Sequence, residues 1–343
     1  PRIDFLGNTK GALLLEPSRT NLITYSNFND GWELSNTTRT LNNSISPDGN
    51  LNAVSLKSST SSSNEKYIRR FVGVSVYTDY TFSVFAKKNE LSEIRLSSTG
   101  NSNAFSFFNL SNGTIESVGS SATAKIENFG NGWYKCSIKH QNSITGIFSV
   151  INLSIDGSVN ISTNVNDGVY LFGSQYEQGS YATSYIPTSG SAVTRVLESN
   201  ILGSPISLDN NFSLFWEGLV LENDIMLYGS GTNAWYMNYE TLTGRVILDE
   251  ANGGRKIQAY LGSGAPAGIK TKILLIRNGG VHSVFANGTK LTANISVNST
   301  STLSLSSMFW AFSSYFNKGL KVNDSQIFKI ALTDAEAIAL TTI

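Results

Sequence analysis

The chain has 343 residues, with 25 basic and 25 acidic side chains and therefore no formal net charge. Charged residues make up 15% of the sequence, against about 25% in an average soluble domain, while hydrophobic residues make up 40% and aromatic residues 11%. This apolar content excludes a disordered chain. The charge balance excludes general nucleic-acid binding, which needs an excess of basic groups to neutralise phosphates. The pairs Arg69-Arg70 and Lys87-Lys88 are isolated, and we interpret them as solvated strand ends.

Short runs rich in Val, Ile, Phe, Tyr and Thr, separated by Gly, Asn and Ser, predict β-strands along most of the chain. In the run 80–86, Tyr80, Phe82 and Val84 share one face of the predicted strand. Strands that recur roughly every ten residues favour sandwiches or barrels over βαβ units. The clearest runs, in chain order, are 80–86, 133–138, 146–154, 168–175, 212–221, 271–277 and 325–331.

Residues typical of turns separate several of these runs, and residues typical of a helix follow the last one. Asn112-Gly113 and Asn287-Gly288 each lie between two strand patterns and predict tight hairpin turns, because Asn and Gly adopt positive φ readily. A single good helix candidate follows at the end of the chain. Thr333 and Glu336 have the spacing of a capping box, and residues 335–340 are helix formers.

A change in composition suggests a domain boundary. Residues 187–195 are small, polar and turn-prone, and strand patterns resume at Phe212, so the boundary is expected between about Pro187 and Pro205. We therefore expect an all-β protein of two antiparallel β-sandwich (jelly-roll) domains, 1–200 and 201–343, with a short C-terminal helix. The first residue is Pro1 and not Met, so we expect a fragment or a processed form.

Three segments of the first half resemble modules that are common in bacteriophage tail and fibre proteins. The first consists of residues 2–5, 13–22 and 25–28 with Trp32, the second of 80–87 with 132–135, and the third of 169–190 with Thr194-Arg195. This resemblance implies a jelly roll of the carbohydrate-binding-module type over residues 1–200. In the second half, residues 212–216, 284–290 and 327–336 are similar to parts of concanavalin A-like or laminin-G-like sandwiches.

The resemblance implies a role on a virus particle. We expect a virion fibre, spike or decoration protein, assembled in the host bacterial cytoplasm, whose partners are other virion proteins and host-surface polysaccharide. A homo-oligomer, by analogy a trimer, is also implied. The alternatives are a purely structural virion protein without a glycan ligand and, second, a polysaccharide-degrading enzyme. No run approaches the roughly 18 apolar residues of a membrane span, so we expect no membrane partner.

The residues needed for catalysis are incomplete, and we expect no enzyme. Catalytic members of the concanavalin-like class often carry two glutamates and an aspartate alternating on one strand. The nearest match here is residues 222–226, in which Met226 stands where the second glutamate would be. His140 and His282, the two histidines, are interpreted as structural or exposed. The single cysteine, Cys136, is interpreted as a small buried apolar residue.

Little points to a metal or cofactor. Asp167 and Asp324 each lie next to an asparagine, so each is a candidate for a structural Ca²⁺, which prefers oxygen ligands. Turn chemistry is the alternative for both aspartates. We expect no other cofactor.

Glycan binding remains the main functional hypothesis, because aromatic rings stack on sugar faces while amides and acids bind sugar hydroxyls. Residues 233–239 are the densest candidate. On a strand, Trp235 and Tyr239 would face one way and Tyr236 and Asn238 the other, and the sequence leaves open which side is the core. A loop tip around Tyr315 and Asn317 is a second candidate. Trp32 and Trp133 are expected in the core of the first domain.

Overall fold

A computed structural model describes residues 2–4, 11–196, 198, 200–220, 224–229, 235–240, 244–250, 254–261, 269–308 and 320–343. The chain divides into two compact units. The first sandwich is Arg19–Arg195, and the second sandwich consists of Pro1–Ser18 with Val196–Ile343. The expected domains, 1–200 and 201–343, differ from this division in residues 1–18 and by five residues at the later boundary. The physical reason is that an N-terminal strand, residues 12–15, pairs with a strand near residue 320.

Within the described residues the chain forms thirty strands and one helix. The first eighteen strands are β1 (Arg2–Asp4), β2 (Ala12–Leu15), β3 (Arg19–Asn21), β4 (Glu33–Ser35), β5 (Thr37–Ile45), β6 (Leu51–Ser58), β7 (Asn64–Glu65), β8 (Tyr67–Gly73), β9 (Asp79–Lys88), β10 (Glu93–Ser98), β11 (Phe105–Asn109), β12 (Thr114–Val118), β13 (Ala122–Asn128), β14 (Trp133–Gln141), β15 (Gly146–Ser154), β16 (Asn160–Ile161), β17 (Gly168–Gln178) and β18 (Val193–Arg195).

The remaining strands and the helix are β19 (Asn200–Leu208), β20 (Phe212–Val220), β21 (Asp224–Gly229), β22 (Trp235–Glu240), β23 (Arg245–Glu250), β24 (Gly254–Tyr260), β25 (Lys270–Asn278), β26 (Val281–Ala286), β27 (Thr289–Lys290), β28 (Ala293–Ser296), β29 (Leu303–Met308), β30 (Leu320–Phe328) and α1 (Asp334–Thr341). The all-β class and the C-terminal helix are therefore confirmed. In the described part of the chain, no helix has the length and apolarity to span a bilayer.

The first sandwich contains two six-stranded antiparallel sheets, in the orders β12-β11-β10-β15-β8-β4 and β13-β14-β9-β17-β6-β5. Its core lies between them and includes Phe82, Ile94, Phe108 and Ile151, all fully buried. Tyr80, Phe82 and Val84 share this core, as the alternation in residues 80–86 predicts. Trp32 also belongs to the core.

Trp133 is buried as expected, but it does not lie in the main core. It packs with Phe85 and Phe172 in a second apolar cluster. Phe85 alternates with the core residues Phe82, Val84 and Ala86 along β9, so this cluster lies on the outer side of that sheet. The indole Nε1 of Trp133 donates to the carbonyl oxygen of Ile45 over 3.1 Å, which satisfies its single polar group.

The second sandwich contains two seven-stranded antiparallel sheets, in the orders β1-β2-β30-β20-β25-β26-β27 and β19-β29-β21-β22-β23-β24-β28. Trp216, Met237, Leu248 and Leu275 lie in the core between them. On the outer side of the first of these sheets, Ala337 of α1 packs in a separate apolar cluster with Phe215, Leu274, Ile276 and Phe285. The helix therefore covers a sheet face that would otherwise expose large apolar side chains.

The predicted hairpin turns are observed. Asn287 and Gly288 have φ values of 48° and 79°, and Ala286 pairs directly with Thr289, so the two residues form a two-residue hairpin loop between β26 and β27. Around Asn112-Gly113 the loop is longer, because Asn109 pairs with Thr114.

The last strand begins and ends earlier than the sequence predicts, whereas the helix lies where it was expected. Of the expected strand 325–331, residues 325–328 belong to β30, which runs from Leu320 to Phe328, and residues 329–331 lie beyond its end. The capping box itself is confirmed. Thr333 Oγ1 accepts from the backbone N–H of Glu336 over 3.3 Å, and Glu336 Oε2 accepts from the backbone N–H of Thr333 over 2.8 Å.

We expect Thr333→Ala to lower the free energy of unfolding by about 1 kcal/mol, because an alanine leaves a helix N–H without its acceptor. Urea unfolding measures this change. Thr333→Ser is the matched control, since it keeps the capping hydroxyl and should unfold close to wild type. Equal stability of the alanine variant and wild type would show that the cap is not coupled to the fold.

Candidate functional site

Two of the predicted glycan-binding rings lie in the core. Trp235 and Tyr239 project inward from β22 together with Met237, and each ring is 1% exposed. The indole Nε1 of Trp235 donates to the carbonyl oxygen of Ser304 over 3.0 Å. A ring buried on both faces presents no surface to a sugar, so these two residues are corrected to core residues. The sequence cannot decide which side is buried, because both sides of β22 carry aromatic or amide side chains. The packing of the second sandwich decides it.

Tyr236 and Asn238 point to the outer side of the same strand. The hydroxyl of Tyr236 donates to Asp249 Oδ2 over 2.5 Å, and Arg255 holds the same carboxylate with two hydrogen bonds of 2.9 and 3.0 Å. Burial, followed by the hydrogen bond to Asp249, raises the pKa of Tyr236 to about 12. Arg255 also donates to Gln258. The polar groups around Tyr236 therefore largely form hydrogen bonds with one another. Asn238 is buried, and its Oδ1 has no hydrogen-bond partner within the described residues.

Other residues that the sequence singles out lie outside the described residues or have structural roles. Tyr315, Asn317 and Glu222 are outside the described residues, as is the side chain of Asp224. Asp167 Oδ2 accepts from the backbone N–H of Asn164 over 2.9 Å and so closes a turn. Among the described residues, no group of three or more His, Cys, Asp or Glu is placed to hold a metal ion.

His140, His282 and Cys136 are all buried. Cys136 is fully buried in the first core, and burial raises its thiol pKa well above the usual range. Burial lowers the pKa of both histidines to about 4. All three residues are therefore uncharged near neutral pH, which agrees with the structural roles expected for them.

A site that the sequence analysis did not identify lies on the outer face of the first sandwich, across β11, β10, β15 and β8. Register places Phe107, Arg95, Asn152 and Tyr67 in one row, each directly opposite its neighbour on the adjacent strand. The next residues along the same face are Phe105, Ser97, Val150 and Arg69. We name this surface the arginine–aromatic face and define it by Tyr67, Arg69, Arg95, Phe105, Phe107, Phe148 and Asn152.

Each arginine of this face lies on aromatic rings. The guanidinium carbon of Arg95 is 4.6 Å from the ring centroid of Phe105 and 5.7 Å from that of Phe107. That of Arg69 is 4.1 Å from Phe148 and 5.4 Å from Tyr67. Such cation–π contacts, worth about 0.5–2 kcal/mol each, hold the long side chains in place. The sequence suggests that Arg69 is a solvated strand end, but in the structure it is a half-buried residue of the face.

The centre of the face contains polar groups without partners. Ile151 and Leu153 point into the core, so Asn152 and Ser154 point outward. Asn152 is fully buried, yet neither its Oδ1 nor its Nδ2 has a hydrogen-bond partner within the described residues. Ser154 Oγ and Arg95 Nε are also buried without a hydrogen-bond partner within the described residues. A buried polar group without a partner costs roughly 1–3 kcal/mol, so four such atoms in one place require an explanation.

The two arginines of the face differ in whether a carboxylate pairs with them. Arg69 is neutralised by Glu33, with Nη2 2.7 Å and Nε 2.8 Å from the same carboxylate oxygen. Arg95 forms no ion pair or hydrogen bond with any described residue. Burial lowers the pKa of Arg95, and the charge of Glu65 opposes this effect from a distance. The face therefore offers aromatic rings, an amide with both a donor and an acceptor, a hydroxyl and one uncompensated guanidinium.

The sequence carried only part of the information about this face. The alternation Tyr67-Arg69-Phe71 and the pair Phe105 and Phe107 identify outward-facing positions of two predicted strands. Nothing in the local pattern brings residue 67 beside residue 152, because that depends on how the strands pair.

Comparisons with solved structures give several matches. The chain is similar to a native heptameric SAP-like pentraxin from Limulus polyphemus at 12% identity and a TM-score of 0.34, over 41% of this chain and 74% of that chain. It is similar to the Ruminococcus gnavus IT-sialidase CBM40 at 14% identity and a TM-score of 0.30, over 43% and 97% of the two chains. It is also similar to the LG1-3 region of the laminin alpha2 chain at 11% identity and a TM-score of 0.32, over 82% and 64%. No family model matches the chain, and no curated protein matches it.

Proposed function

We propose that this protein binds glycans and that the binding site is the arginine–aromatic face of the first sandwich. The observation that carries the proposal is Asn152, a fully buried amide with an unpartnered donor and an unpartnered acceptor. A sugar hydroxyl both donates and accepts hydrogen bonds, so it matches both atoms of a carboxamide. A bound hydroxyl would supply the hydrogen bonds that the protein does not make for itself.

The surroundings of Asn152 suit the rest of a sugar. Phe105 lies on one side of Asn152, Tyr67 lies on the other, and Phe148 lies further along the strand of Asn152. These three half-buried rings suit the apolar faces of pyranoses. The rows run from β11 to β8 over three strand spacings, or about 14 Å at 4.8 Å per spacing. This length accommodates more than one sugar ring.

Access to Asn152 requires movement of its neighbours. Arg95 and Tyr67, which flank it in the row, are half-buried. Rotamer changes of interface side chains on binding are common and need little backbone motion. We propose that these two side chains open when a glycan binds and then close over it.

We also propose that glycan binding serves attachment of a bacteriophage particle to its host, with the chain as a fibre, spike or decoration protein on the virion surface. The phage-like segments within residues 1–200 and the absence of net charge support this proposal. Other virion proteins are the proposed partners, and the proposed assembly is a homo-oligomer. Immuno-electron microscopy of the particle tests the location. A position buried between other virion proteins would favour the purely structural alternative.

The key variant is Asn152→Leu, which removes the donor and acceptor while keeping a similar volume. On an array of bacterial polysaccharides we expect wild type to bind, and the variant to bind about 10–100-fold more weakly, which corresponds to roughly 1.4–2.8 kcal/mol. We expect its thermal stability to equal or exceed that of wild type, because two unsatisfied buried groups are gone. A loss of binding would therefore not be due to unfolding.

Asn238→Leu is the matched control, since Asn238 is also a buried outward-facing amide but lies in the second sandwich. We expect it to leave polysaccharide binding unchanged. If Asn152→Leu binds as well as wild type while Asn238→Leu loses binding, the site belongs to the second sandwich. If wild type binds no polysaccharide, glycan binding is refuted.

A further inference from the structure

Arg95 differs from Arg69, the other arginine of the arginine–aromatic face, because no carboxylate in the described part of the chain pairs with it. Arg69 is held by Glu33, whereas the guanidinium of Arg95 meets no carboxylate and no carbonyl among the described residues. Its Nε is buried and without a partner. A half-buried charge without a counter-ion is unfavourable, because partial desolvation is not offset by an ion pair.

The nearby acids do not compensate Arg95. Glu93 lies two residues away on the same strand and the same face, but its Oε1 accepts from the backbone N–H of Gly157 over 3.0 Å. Glu65 on β7 acts on Arg95 only at a distance beyond an ion pair. The positive charge at the centre of the site is thus open to a ligand, although the whole chain is neutral.

The geometry also favours a planar anion. The guanidinium of Arg95 lies against Phe105 and Phe107, and its N–H groups form a rigid planar fork that matches two carboxylate oxygens. Asn152 lies directly opposite Arg95 on the next strand, so the two side chains leave adjacent backbone positions about 4.8 Å apart on the same face. A carboxylate between the two side chains would receive donors from both, and Ser154 Oγ could bind an adjacent hydroxyl.

We propose that the glycan bound by this face is acidic and that Arg95 binds the carboxylate of a uronic or similar sugar acid. This inference rests on the proposed function and specifies its ligand class. The carboxylate neutralises Arg95, the sugar ring packs on the aromatic side chains, and Asn152 binds a second oxygen. The interaction is charge-assisted and is therefore weakened by salt, though less than a fully exposed pair would be.

Matched pairs of polysaccharides test the inference with the full chain. The probes are polygalacturonate, alginate and hyaluronan, each beside its carboxyl-reduced form, which has the same backbone without the charge. We expect at least one of the acidic polymers to bind at least tenfold more tightly than its reduced form. Arg95→Met should remove this preference, and Arg95→Lys should restore only part of it, because lysine keeps the charge but not the fork. Lys88→Met, an exposed cation on the other sheet, is the control and should bind like wild type.

Each result separates the inference from the function on which it rests. Equal binding of an acidic polymer and its reduced form, with loss of both in Asn152→Leu, would overturn the acidic ligand and leave glycan binding intact. Binding of dextran sulfate as tightly as the best uronate would also overturn it, since charge alone would then suffice. If none of these polymers binds, the inference of a uronate ligand is wrong. If the polysaccharide array also shows no binding, the proposed function is wrong as well.

Discussion

Replacing Arg277 by methionine is expected to lower the free energy of unfolding of the second sandwich by about 3–5 kcal/mol. Arg277 is fully buried, and its Nη2 lies 2.7 Å from Oε1 of Glu250, which is itself buried. The guanidinium also donates to His282 Nε2 over 3.1 Å and to the carbonyl oxygen of Ser301 over 2.6 Å. Without the arginine, Glu250 keeps a hydrogen bond from Ser299 and a distant Lys256 at 3.9 Å. The carboxylate would therefore be buried with much less compensation.

Denaturant unfolding of wild type, Arg277→Met and the double variant Arg277→Met with Glu250→Gln measures this effect. The double variant should be less destabilised than the single one, because it no longer buries an uncompensated charge. Lys290→Met is the surface control. The Lys290–Asp334 ion pair is just as short, at 2.7 Å, but half or more of each side chain is exposed. Its loss should cost less than about 1 kcal/mol. A similarly small cost for Arg277→Met would refute a structural role for the buried pair.

Acidification is expected to destabilise both sandwiches between pH 6.5 and pH 4. His140 in the first sandwich and His282 in the second are almost fully buried, and burial lowers the pKa of each to about 4. Arg277 adds to this effect at His282, because a protonated imidazole would lie against the guanidinium. Above pH 6.5 both histidines are neutral whether the chain is folded or unfolded. Below it only the unfolded chain takes up the proton, so stability falls until the pH reaches the folded pKa.

From pH 7 to pH 5 the expected loss is about 2 kcal/mol for each histidine. Hydrogen–deuterium exchange followed peptide by peptide measures it separately in the two sandwiches. His140→Gln should flatten the pH dependence of peptides from residues 19–195 only, while the same dependence persists in peptides from 269–308. Stability that does not change over this interval in wild type would show that the histidines are protonated in the folded chain.

Local chemistry was sufficient to predict several strands of the first sandwich, and a hairpin turn and a helix cap in the second. The predicted run 146–154 coincides with β15, and the alternation of Tyr80, Phe82 and Val84 identifies the core side of β9. The turn at Asn287-Gly288 and the cap at Thr333 depend on single residues with strong backbone preferences, which the sequence shows directly.

Long-range pairing could not be predicted in the same way. The pairing of β2 with β30 joins residues that are about 300 positions apart, and no local pattern records it. The sequence does not show which side of β22 faces the core, because aromatic or amide side chains occupy both sides. The packing of Trp235 and Tyr239 against the opposite sheet decided the question.

By itself, the sequence determined the β class, the alternation of inward and outward side chains, the hairpin turns and the helix cap, because each depends on neighbours within a few residues. Only the tertiary structure decided which outward side chains meet. Tyr67, Arg95, Phe107 and Asn152 come from four strands, and register alone brings them into one row. A shift of one residue in any of these pairings would turn that strand's side chain to the opposite face, so the site exists only because the two apolar faces of the sandwich fix the register.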